Sequence, residues 1–172
     1  MTNEFAAAVH AMLLLYFKSG CQKSDALAKS ACTNPARMRM IVAKLKKAGL
    51  VETREGAEGG CFFVRSPEEV TLEQICRAVG SVPVSVPRRS GDYDRDCMAA
   101  SGMAELMEGL YSRINDTCYA LLGSMTLADL AEQIRKKMPG GSCSAARKRF
   151  EPEKRNDNGA DADEFTGILP RA

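Results

Sequence analysis

Residues 56–63 read GAEGGCFF, three glycines within five positions running into a cysteine and two aromatics. Such a cluster can be a slack loop, a phosphate cradle or the tip of a hairpin, and its flanks decide between them. LVETR (50–54) stands on one side and CFFVR (61–65) on the other. β-Branched and aromatic residues on both sides of a glycine-rich connection signal a β-hairpin. A phosphate loop needs different glycine spacing and a helix behind it, and this cluster has neither.

Working upstream, NPARMRMIVAKLKKAGL (34–50) carries strong helix punctuation. Asn34 is an N-cap, and Pro35 at the first helical position gives up no needed hydrogen bond. Met38, Ile41, Val42 and Leu45 recur at helical spacing, and Gly49 stands where a left-handed C-cap is wanted. Earlier still, Phe5–Lys18 is apolar nearly all round and predicts a buried helix ending near Gly20. Ser24 then reads as the N-cap of a short helix, DALAKSA. Three helices followed by a hairpin is the order of a winged helix-turn-helix, so the fold class expected is mainly α with a small β-hairpin.

Downstream, PEEVTLEQICRAVG (67–80) predicts a short helix with Thr71 as N-cap and Gln74 completing a capping box. Residues 81–97 shift to proline, glycine and mixed charge and predict a loop. Met103, Leu106, Met107, Leu110, Ile114, Cys118, Leu121, Leu122 and Met125 then recur mostly at three- and four-residue steps. That stripe is wider than one small domain needs, and a second copy of the same helix is its natural cover. Thr126 caps a last helix, LADLAEQIRKK. The expected organisation is a winged helix-turn-helix domain over 1–80, a loop over 81–97, dimerisation helices over 98–137 and a disordered tail over 138–172. Dimerisation is assigned to Met103, Leu106, Met107, Leu110, Ile114 and Leu121.

The chain has 172 residues, 45% of them hydrophobic and 27% charged, which is globular rather than disordered. Its net charge of +2 hides an asymmetry. From Lys18 to Arg54, nine lysines and arginines face only Asp25 and Glu52, a local +7 that leaves −5 elsewhere. A basic block of this kind fits either a polyanionic partner, nucleic acid first, or a solvated lysine-rich helix face. The seven cysteines form no CxxC pair and are odd in number, which suits a reducing cytoplasm. The run Phe5–Phe17 is too short to span a bilayer and predicts no membrane partner. The single histidine has no Ser or Asp partner nearby in sequence, so an enzyme is not expected.

The ordered set AKLKKAGLVETREGAEGGCFFVRSPEEVTLEQICRAVG and the later MTLADL resembles the Rrf-two family of winged helix-turn-helix transcriptional regulators, which includes IscR/NsrR-like proteins. The likeness runs from about residue 5 to residue 137. It implies a homodimer on double-stranded DNA, at a near-palindromic operator, with recognition helices in successive major grooves and wing tips in flanking minor grooves. Repression is the expected outcome; a winged-helix module for protein–protein contact is the competing reading. Arg37 and Arg39 lie near the start of the third helix, where side chains reach base edges, and Lys44, Lys46 and Lys47 suit phosphates. Ser24 and Asn34 at helix starts, Gly59 and Gly60 in the wing, Arg54 beside the turn and Arg65 after it complete the candidate DNA-binding set. Many relatives carry Glu where this chain has Arg39, so its operator is expected to differ. Glu58 places a negative charge at the wing tip.

The resemblance also implies a sensor-type loop over 81–97. Relatives often hold an iron–sulfur cluster there on three closely spaced cysteines, whereas only Cys97 lies in this loop. Other relatives use two well-separated cysteines with a carboxylate and a histidine from the partner's first helix. Here Cys97, Cys118 and His10 match in part, while Ala6 stands at the carboxylate position. Those three form the candidate metal, cluster or redox set, and an iron–sulfur cluster is the one cofactor considered. Cys118 as a small core hydrophobe and His10 as a hydrogen-bonded helix residue are the plainer readings. Cys97, near Arg95, is also a candidate for thiol oxidation. Cys61 and Cys76 are expected in the core.

Overall fold

The structure, a computed structural model, describes residues 3–18, 20–56, 59–85 and 98–139. In chain order it holds α1 (Asn3–Lys18), α2 (Ser24–Ser30), α3 (Pro35–Lys47), β1 (Val51–Arg54), β2 (Gly60–Phe63), α4 (Leu72–Ala78), α5 (Met98–Gly123) and α6 (Leu127–Lys137). The expectations for Glu58, for Cys97 with most of the loop, and for the tail from residue 140 lie outside the described residues.

The core is built around α1, whose Ala8, Ala11, Met12 and Leu15 are almost wholly enclosed. Against them pack Leu27 and Ala28 of α2, Met38, Ile41 and Leu45 of α3, and Ile75 and Cys76 of α4. Leu122, Leu127 and Ala131 belong to the same core, so α6 returns to α1 rather than standing apart with α5. Burying each large side chain of this set contributes about 1.5–3 kcal/mol relative to exposure. The hairpin is antiparallel, with Val51 opposite Phe63 and Arg54 opposite Gly60. Val51, Cys61 and Phe63 turn inward.

Local chemistry sets the element ends. Asn34 Oδ1 accepts the Ala36 backbone N–H at 2.8 Å at the head of α3. Gly49 follows α3 with φ of +69°, a left-handed conformation that costs glycine little. Thr71 and Gln74 exchange both capping-box hydrogen bonds at the head of α4. α2 departs from expectation: its cap position is Lys23, with no side-chain cap, and Ser24 is already helical. The cause is a contact distant in sequence. Gln22 pairs with Cys61 as an isolated antiparallel bridge, N–H to O at 2.9 and 2.8 Å, which holds the chain extended until Lys23.

A second bridge joins Thr71 to Thr126. Leu72 N–H donates to the Met125 carbonyl at 2.9 Å and Leu127 N–H to the Val70 carbonyl at 2.8 Å. Thr126 and Asp129 form a capping box of their own; the backbone N–H of Thr126 that this carboxylate accepts, then the hydroxyl, lower the Asp129 pKa. The heads of α4 and α6 are thus stitched to one another. In the C-terminal half of α5, Asn115 binds the N–H and carbonyl of Val84 at 2.9 and 3.0 Å. Arg77 of α4 adds a cation–π contact, 4.0 Å from the Tyr119 ring centre.

Candidate nucleic-acid interface

α3 buries Met38, Ile41, Val42 and Leu45 and exposes Ala36, Arg37, Arg39, Met40, Ala43, Lys46 and Lys47. With roughly 3.6 residues per turn, Arg37 lies on one flank of the exposed face and Arg39 and Lys46 on the other. Lys47, the last residue of α3, stands on the middle of that face. Arg39 faces Asp25 of α2 at 3.8 Å, both well exposed, so this pairing is worth little and leaves the guanidinium accessible. Lys46 Nζ donates to Thr53 Oγ1 at 2.8 Å and ties the end of α3 to β1.

Lys44, expected at a phosphate, has partners within the protein. Its ammonium donates to Glu4 Oε2 at 2.8 Å and to the Val79 carbonyl at 3.1 Å. It therefore bridges α1, α3 and the end of α4 while its side chain stays part-exposed. Ser24, part-buried inside the first turn of α2, also loses its expected place as a cap.

The wing rises beside α3. Gly56 adopts φ of +109° in the turn. A Cβ on Gly59 would strike the backbone of Arg54 to Gly56, and one on Gly60 would lie 2.5 Å from the Gln22 carbonyl oxygen. Both glycines thus have an internal steric reason, which is to let the turn close and to let β2 lie against residues 22–23. The Arg54 guanidinium lies 5.7 Å from the Phe62 ring centre. Arg65 lies past the end of β2, exposed. Beneath the wing, burial and then the nearby Cys21 push the Cys61 thiol up to about 12, which makes it an inert core group. Burial likewise raises Cys76, whose Sγ donates to the Ser81 carbonyl at 3.1 Å.

Of the sensor candidates, His10 and Cys118 lie among the described residues. His10 Nε2 lies 3.0 Å from Ser30 Oγ, joining α1 to α2. Cys118 is half-buried on α5, and Cys97 is outside the described residues. No group of three or more His, Cys, Asp or Glu side chains able to hold a metal occurs among the described residues.

On α5, Met103, Leu106, Leu110, Ile114 and Leu121 are exposed along one line, with Leu106 at 69% and Leu121 at 62%. Met107 beside them is half-buried. Among the described residues no helix is long and apolar enough to cross a membrane.

The geometry has counterparts. A family model described as Rrf2, iron-dependent transcriptional regulator, matches residues 1–133. YwnA of Bacillus subtilis (strain 168), described as an HTH-type transcriptional regulator, is 29% identical over 79 residues. That stretch is 46% of this chain and 58% of YwnA, so the chain spans little more than half of that relative. Among solved structures, CymR, the global cysteine regulator of B. subtilis, is 25% identical with a TM-score of 0.57, over 77% of this chain and 96% of that one. A Lactobacillus plantarum protein described as a transcriptional regulator is 24% identical with a TM-score of 0.66, over 81% and 93%. T. potens IscR is 20% identical with a TM-score of 0.58, over 80% and 90%. These last two likenesses concern the fold alone.

Proposed function

We propose, because the chain belongs to the Rrf2 family of transcriptional regulators, that it is a homodimeric repressor of a near-palindromic operator. It is a DNA-binding regulator and not an enzyme. The observation that carries the finer reading is the exposed face of α3, where Arg37 and Arg39 flank a helix head held by Asn34, beside a glycine-tipped hairpin. Arginine on such a face suits guanine O6 and N7 in the major groove, and Lys47 suits a phosphate. Arg54 and Arg65 extend the basic surface to the wing, and Gly59 and Gly60 set its shape. The exposed line on α5 supports a second copy as its cover. The reading places the protein in the cytoplasm with its DNA.

The test is a shift assay on a duplex selected from a random pool, across a salt series. Arg37→Ala with Arg39→Ala is expected to weaken binding at least about thirtyfold, at about 1–3 kcal/mol per base-reading contact. Unchanged affinity and unchanged salt dependence would return the chain to the protein–protein reading.

A further inference from the structure

Between the flanking arginines of α3 runs a line that is apolar up to its last residue. Ala36, Met40, Ala43 and Lys47 follow one another at three- and four-residue steps, and all four are exposed. They occupy the side of the helix opposite the buried Met38, Ile41, Val42 and Leu45. Met40 is 60% exposed. Its neighbours on that line, Ala36 and Ala43, have the shortest side chains after glycine, so the thioether stands out between them. An isolated exposed apolar side chain needs no explanation by itself. This one occupies the outermost line of a helix whose flanks are cationic, so a polyanion drawn to those flanks meets the methionine first. Lysine or arginine in its place would add affinity for phosphates, whereas methionine adds none.

The major groove offers one apolar group for such a side chain to meet, the C5-methyl of thymine. We propose that Met40 is a specificity-determining residue that reads a thymine by contact with this methyl group, while Arg37 and Arg39 take hydrogen-bonding partners on either side. The assignment rests on α3 being the groove-entering helix, as argued above. It adds to that reading a preference for thymine in each half-site that charge and hydrogen bonding alone do not supply. Methionine's unbranched, flexible chain suits a contact whose exact depth is set by neighbouring groups.

The full-length chain is used to select a duplex from a random pool, and each thymine of the selected site is then replaced in turn by deoxyuridine, which lacks only the methyl. One thymine per half-site is expected to show about a fourfold loss on replacement, the equivalent of one buried methyl group. In Met40→Ala the same replacement should have no effect, and in Met40→Leu the loss should persist. If no replacement weakens the wild type by more than about twofold, or if Met40→Ala loses as much as the wild type at that thymine, the assignment is wrong while DNA reading stands. A pool from which the wild type enriches nothing overturns the groove-entering reading itself, and the Met40 assignment with it.

Discussion

At Gly60 the backbone of β2 crosses residues 22–23 so closely that any side chain would meet the Gln22 carbonyl. Gly60→Ala is expected to cost about 1–3 kcal/mol, the range for forcing an extra methyl into packed structure, read as a lower denaturant midpoint. An unchanged midpoint would mean that residues 20–23 yield without loss. Lys44 and Lys47 form a second contrast, since both look like phosphate ligands in sequence and only Lys44 is engaged by Glu4 and Val79. Lys44→Ala should lower stability by about 1 kcal/mol, a figure already reduced for partial exposure. It should leave the salt dependence of DNA binding intact. Lys47→Ala should leave stability intact and lower the slope of log affinity against log salt by about 1. Matching slopes for the two variants would contradict the inward role of Lys44.

The elements were legible wherever their signal is local. Asn34 with Pro35, Gly49 after α3, and Thr71 with Gln74 each state a helix end within a few residues, and each stands where the sequence places it. What was not legible depends on partners distant in the chain. The Gln22–Cys61 bridge leaves no periodic trace, yet it decides that α2 starts at Ser24 rather than being capped by it. Lys44 sits where the buried and exposed faces of α3 meet, and only the fold reveals that Glu4 reaches it. Met40 was readable from helical geometry, but attention to charge passes over an apolar residue. At the head of α4 the consequence is measurable. Thr71→Ala removes a capping oxygen and should cost about 1 kcal/mol. Because Thr71 also faces Thr126, adding Thr126→Ala should change stability by less than the sum of the two single losses. Strict additivity in denaturation would mean the two caps act independently.

For the whole molecule, the exposed line from Met103 to Leu121 is the surface on which the proposed pair depends. Leu110→Glu puts a charge at its middle and is expected to shift the protein to monomer in sedimentation, with little change in the fold of the monomer. A variant that still sediments as a dimer would place the contact elsewhere. From that surface α5 packs on α4, and α4 on α3. α5 is held near its end by Leu122 and the Thr71–Thr126 stitch, and about two turns earlier by Asn115 on Val84. Two fixed points define a direction, so the angle between α5 and α3 is set by the protein rather than by its ligand. In a two-fold pair that angle acts as a ruler: it dictates how many base pairs separate the two half-sites, and it does so through residues that never approach the DNA.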